Sequence, residues 1–138
     1  MSMAEMEKSF IAGFIAGEGC FTGTSRPCGT RQYVFQVGLS LPDEPILHRI
    51  KDCMGVGRIS LHKQKNPDHQ ALVMYSVARR RDLATVIIPF MDRYLTLLPC
   101  HKSTQYSEWR AKFFAERPRR GWNAIGQQRL ASTTFETM

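Results

Sequence analysis

The chain has 138 residues, enough for one domain that buries about two thirds of its unfolded surface. Lys and Arg number 19 against 12 Asp and Glu, a formal net charge of +7, which favours nucleic acid or an anionic surface as partner and argues against a cationic one. No apolar run reaches the roughly 18 residues of a membrane span, and the acidic start at Glu5 and Glu7 is unlike a basic leader, so we expect no membrane partner and an intracellular location, bacterial or phage cytoplasm or an organelle.

Ser2 with Glu5 three residues later has the form of a capping box, and predicts a helix over residues 4–17, about 20 Å long. Phe10, Ile11, Phe14 and Ile15 are its expected apolar stripe. Four small residues, Ala12, Gly13, Ala16 and Gly17, interrupt it. A glycine inside a helix costs about 1 kcal/mol relative to alanine, so the pair points to close approach by another backbone. The helix then stops at Glu18, and Gly19 leads into the strand-like Cys20, Phe21 and Thr22. Two such helices packed together would bring two carboxylates to one place, and carboxylates are the donors that hard divalent cations take.

Residues 19–26 are read as a first strand, residues 26–30 as a loop and residues 31–41 as a long second strand. On that strand Tyr33, Phe35, Val37 and Leu39 share one face; Gln32, Val34, Gln36 and Gly38 share the other. After Pro42 and Pro45, the spacing of Ile46, Leu47, Ile50, Cys53 and Met54 predicts a helix over residues 46–54. Gly55, Val56 and Gly57 turn the chain into a third strand, with Arg58, Ser60 and His62 opposite Ile59 and Leu61. A polar hairpin tip containing Lys63 and Lys65 follows, then a fourth strand over residues 71–77. A helix starts at residue 79 with Leu83, Val86 and Ile87 on its apolar side, kinked or ended by Pro89. The last helix covers residues 103–116, with Tyr106, Trp109, Arg110 and Phe113 on or near one face.

The order α-β-β-α-β-β-α-α defines a mixed α/β domain over residues 1–116. Residues 117–138, with Trp122 beside Arg119 and Arg120, lack periodicity and are taken as a basic tail. Cys20, Cys28, Cys53 and Cys100 have no CxxC spacing and are read as isolated thiols; a zinc site from the first three with His48 is the less favoured reading. Gly55–Gly57 lacks the GxGxxG pattern of a nucleotide loop. The run Arg79, Arg80, Arg81 suits either backbone phosphate or solvent. Trp109, with Phe113 and Phe114, is placed in the core.

Residues 11–19, IAGFIAGEG, resemble the signature helix of the LAGLIDADG homing endonucleases, matching at Ala12, Gly13, Ile15 and Gly19 with conservative changes at Ile11 and Phe14. The last acid of the signature falls on Glu18; the first falls on Ala16 and is absent. The resemblance covers roughly residues 8–115. It implies an αββαββα fold whose curved antiparallel sheet lies along DNA, and a metal-dependent, site-specific endonuclease making double-strand breaks in a near-palindromic site. One signature per chain implies a homodimer packed through Ala12, Gly13, Ala16 and Gly17. The implied metal is Mg²⁺ or Mn²⁺, held by Glu18 and Gly17. Glu18 stands where Asp is commoner. The resemblance further implies a catalytic lysine, which falls on Lys102, with Cys100 in an alternative register and His101 as a weaker rival. It also implies a polar group near Leu39 or Ser40.

The polar sheet face and the resemblance together nominate Thr22, Thr24, Arg26, Gln32, Gln36, Arg58, Ser60, His62 and Lys63 as contacts to double-stranded DNA. Two other readings remain: a relative that binds DNA without cutting it, and a maturase of the same fold with intron RNA as partner.

Overall fold

The computed structural model describes residues 2–25, 27, 29, 31–63, 65, 68, 71–97 and 99–116. Helix α1 (Met3–Glu18) runs directly into strand β1 (Gly19–Ser25), and β2 (Arg31–Ser40) follows. A short 3₁₀ turn leads into α2 (Glu44–Met54), then come β3 (Arg58–His62) and β4 (Leu72–Val77). The chain continues through α3 (Arg80–Asp82), a π-helical turn (Leu83–Ile87) and α4 (Ile88–Tyr94), and reaches α5 (His101–Ala115) after a 3₁₀ turn. The sequence-derived order of elements is the one observed.

The four strands form one antiparallel sheet in the order β1-β2-β4-β3. Among the described residues, helices pack on one face only. Tyr33, Phe35, Val37 and Leu39 of β2, with Val73, Tyr75 and Val77 of β4, are buried there, as the period-two alternation requires. Phe21, Phe35, Tyr106 and Trp109 gather between β1, β2 and α5, with ring centroids 5.0–5.3 Å apart around Phe21. Two polar bonds fix α5 along β1: Lys102 Nζ donates to the Gly19 carbonyl, and Trp109 Nε1 donates to the Thr22 carbonyl at 2.9 Å. Seven helical residues rise about 10.5 Å and three strand residues about 10 Å, so the two bonds fall in step.

Several expectations are corrected. In α1 the buried side is Ile11, Ala12 and Ile15; Phe10 is 69% exposed and does not belong to the core stripe. A helix apolar on most sides does not declare which side turns inward, and here the small Ala12 fits under the neighbouring elements. Leu61 is 54% exposed, because β3 is the edge strand and extends beyond the helical layer. Pro89 does not end its helix: the wider π turn before it accommodates the missing N–H, and α4 runs on to Tyr94. The capping box is half made. Ser2 Oγ accepts from the Glu5 N–H at 3.1 Å, but the Glu5 carboxylate accepts from the Tyr94 hydroxyl at 2.9 Å instead of reaching back. Among the described residues no helix is long and apolar enough to cross a membrane.

Candidate nucleic-acid interface and catalytic end

The opposite face of the sheet carries the polar residues singled out above. The register aligns them in rows across the strands: Cys20, Gln36, Ser76 and Arg58 in one; Gly38, Met74 and Ser60 in the next; Ser40, Leu72 and His62 beyond it. Thr22 pairs with Val34 and Thr24 with Gln32 towards the far end of β1. Thr22, Thr24, Gln32, Gln36, Arg58, Ser60 and His62 therefore share one surface, each half-buried or exposed. Ser60 Oγ and His62 Nε2 are 3.0 Å apart and hydrogen-bonded. Lys63 follows β3 and is exposed. Arg26 lies outside the described residues, as do residues 117–138 with Arg119, Arg120 and Trp122.

The fourth strand expected over residues 71–77 is present as β4, but its polar-face residues had not been singled out. Leu72, Met74 and Ser76 stand on this face between the predicted contacts, and Met74 covers Gly38, where an added Cβ would meet its Cε at 3.0 Å. The alternation around buried Val73, Tyr75 and Val77 was the available signal.

At the end of α1, Glu18 is exposed and, among the described residues, has no hydrogen bond or ion pair from its side chain. The last turn contains no basic residue, so the carboxylate faces the negative end of its own helix uncompensated. Gly19 must be small: an added Cβ would lie 2.7 Å from Ile15 Cγ2 and 2.8 Å from the Ile15 carbonyl oxygen. That tightness is what turns the helix end directly into β1. Lys102, half-buried at the start of α5, bonds to the carbonyl of this same Gly19, next to Glu18 in the chain. Cys100 is used differently. It caps α5, with the Ser103 N–H donating to its sulfur, and this bond holds the thiol below its ordinary range. Ser103 Oγ in turn accepts from the Cys100 N–H at 2.9 Å. His101 is exposed. Since Gly19 pairs with Val37, the sheet positions nearest this end on the polar face are Gly38 and Ser40; Leu39 points into the core.

The small residues of α1 divide. Ala12 is 5% exposed inside the chain's own core, which removes it from the expected helix-pairing surface. Gly13 and Gly17 are exposed, and a Cβ on either would meet nothing within 4 Å. Met6, Phe10, Gly13 and Gly17 follow one another at spacings of four, three and four, forming one uncovered stripe. Ala16 is half-buried beside it.

The arginine run also divides. Arg79 and Arg81 are exposed, whereas Arg80 turns inward. Its guanidinium lies 4.1 Å from the Phe113 ring centroid and donates to the Phe113 carbonyl at 2.8 Å and the Glu116 carbonyl at 3.2 Å. Burial lowers its pKa. Arg80 is thus a C-terminal clasp on α5.

The described residues thus form a sheet with helices on one face, a polar opposite face and an acid at the helix-to-strand junction. Residues 11–112 match the LAGLIDADG endonuclease family, and the chain belongs to it. The fold is similar to that of the homing endonuclease I-LtrWI bound to its target DNA, with a TM-score of 0.68 at 22% identity over 95% of this chain and 44% of that one. It is similar to I-AabMI bound to uncleaved DNA, with a TM-score of 0.68 at 29% identity over 91% of this chain and 42% of that one. It is also similar to the group I intron-encoded homing endonuclease I-CeuI complexed with DNA, with a TM-score of 0.68 at 21% identity over 83% of this chain and 56% of that one. The chain thus spans about half the length of these proteins.

Proposed function

We propose that this protein is a metal-dependent, site-specific DNA endonuclease that acts as a homodimer on a near-palindromic duplex. The observation that carries the reading is the uncovered Gly13–Gly17 stripe ending in the free carboxylate of Glu18. Among the described residues nothing accounts for those two glycines, and close approach of a second α1 would. Such a pair brings two Glu18 side chains together beside two polar sheets, and a two-fold assembly suits a palindromic site.

Among the described residues there is no group of three or more metal-ligating side chains, and Glu18 is the donor each chain would bring. The donor that is present fits: an exposed carboxylate is a hard oxygen ligand of the kind Mg²⁺ or Mn²⁺ takes, with waters and DNA phosphates filling the rest. Gly17 would add its carbonyl. Bound divalent ions supply charge neutralisation and an activated water for phosphodiester hydrolysis. Glu18 would hold and orient them, and Lys102, which pins α5 to β1, would place a positive charge beside the scissile phosphate.

The experiment begins with a randomised duplex library and Mg²⁺, from which cleaved sites are recovered by sequencing. Glu18→Gln is expected to abolish cutting of the recovered site and to retain binding. A recovered site cut equally well by Glu18→Gln would overturn the role of Glu18. Specific retention of duplexes that wild-type protein never cuts, in Mg²⁺ or Mn²⁺, would favour the second reading, a DNA-binding relative; the single acid and its change from Asp to Glu are what keep that reading in view. Preference for a structured intron RNA over duplex DNA in competition would favour a maturase.

A further inference from the structure

The sheet has a notch. The last β2–β4 pair is Phe35 with Val77, and β4 stops there, while β2 continues back to Arg31 with β1 on one side and no strand on the other. On the far side of β4, β3 opens with Arg58 opposite Ser76. The missing strand end leaves an open groove of about 540 Å³, whose lining includes Gln32 of β2, Arg58 of β3, Ser76 and Val77 of β4, and Arg79 and Asp82 beyond it.

One wall is stiff. Gly57 has φ 94°, and a Cβ there would lie 2.8 Å from Val77 Cγ2 and 2.9 Å from the Ser76 carbonyl oxygen, so only glycine lets the corner press against the end of β4. The buried Tyr75 hydroxyl donates to the Val56 carbonyl at 2.8 Å and holds the corner in place. Among the described residues no carboxylate pairs with Arg58 or Arg79; Asp82 lines the groove without bonding to either. The lining residues include two arginines, Gln32 and Ser76 against one acid, Asp82, a set that suits a singly charged oxyanion and disfavours a cation or an apolar ligand.

We propose that this notch is a backbone-phosphate site for the bound duplex, with Arg79, a residue outside the sheet, as its chief ligand. The inference rests on the DNA-binding reading above and extends it to a contact that reads no base. The notch begins at the row of Gln36, Ser76 and Arg58 and runs to Gln32, five residues or about 17 Å along β2 from Val37, so its contact serves affinity and register.

The test is binding of a pool of random-sequence duplexes at graded salt, where phosphate contacts dominate. Arg79→Gln is expected to weaken binding about tenfold and to lower the slope of log K against log salt by about one per chain. Arg81→Gln, an equal loss of charge at an exposed neighbour outside the notch, is expected to change both far less, and Arg79→Lys to recover part of the loss. If wild type binds the pool and Arg79→Gln matches it, or Arg81→Gln loses as much, the notch is not a phosphate site, whatever the status of the nuclease. If wild type retains no duplex at all, the DNA-binding reading fails and this inference fails with it.

Discussion

Glu18 and Lys102 reach the same end of α1 from positions 84 apart in the chain, joined through one backbone carbonyl, that of Gly19. This makes Lys102 ambiguous by geometry alone, since a buried-stem lysine pinning α5 to β1 would look the same whether or not it touched DNA. The two roles separate by their readouts. A purely structural bond contributes about 1 kcal/mol and would leave the chemical step alone. A cation beside the scissile phosphate supports the transition state far more than the ground state, typically by about 100-fold in rate per group. Lys102→Met is therefore expected to lower the single-turnover cleavage rate about 100-fold with DNA affinity within about threefold, and Lys102→Arg to restore part of the rate. An unchanged rate at saturating protein, with only a lowered melting temperature, would leave Lys102 as a pin.

At the scale of the element, α1 joins two faces with opposite demands. Its inner face packs Ile11, Ala12 and Ile15 against the core, and its outer stripe is notched by Gly13 and Gly17 with open space in front of both. The isolated fold pays for those glycines and, among the described residues, receives no contact in return. Gly13→Ala and Gly17→Ala should therefore raise the stability of the monomer, by up to about 1 kcal/mol each from helix propensity, while weakening self-association and cleavage. The check is thermal melting at low protein concentration beside sedimentation at high concentration. Both quantities falling together would mean that the glycines serve the fold after all.

The same helix explains what the sequence could and could not disclose. β2 was legible residue by residue because it lies between two strands with helices beneath, so burial follows its alternation from Tyr33 to Leu39 without exception. The polar face was legible with it, and seven of the nominated contacts pair across to the strands beside them. On α1 the inward side was not legible, since Phe10 and Ala12 exchanged places relative to expectation and hydrophobicity alone does not distinguish a core from an uncovered stripe. β3 departed at Leu61 because edge position is a property of the sheet and not of the segment. The clasp at Arg80 and the cap at Cys100 were hidden for another reason: neither residue type announces those roles, and each is defined by the end of α5 that meets it.

Across the whole molecule, tyrosine hydroxyls tie the elements together. Tyr33 donates to the Lys112 carbonyl at 3.1 Å, joining β2 to α5; Tyr75 donates to Val56 at 2.8 Å, joining β4 to the corner before β3. Tyr106 donates to the Ile88 carbonyl at 3.1 Å and to Asp92 at 2.6 Å, joining α5 to α4, and Tyr94 joins α4 to Glu5 of α1. Burial raises the pKa of all four above the ordinary phenol value, and for Tyr106 the bond to the Asp92 carboxylate pushes the same way. A raised folded value means that the protonated phenol stabilises the fold fully below the unfolded value near 10, and that this contribution is lost as pH climbs from there towards the folded value. Lysines titrate in the same range, so the isolating comparison is wild type against Tyr106→Phe. The stability difference between them is expected to be constant from pH 7 to about 9 and to shrink as pH rises beyond about 10. Chemical denaturation at fixed pH steps measures it. A difference that grows with pH would mean that the ionised phenol is the form the fold prefers, which a hydroxyl facing the carboxylate of Asp92 in a packed core forbids.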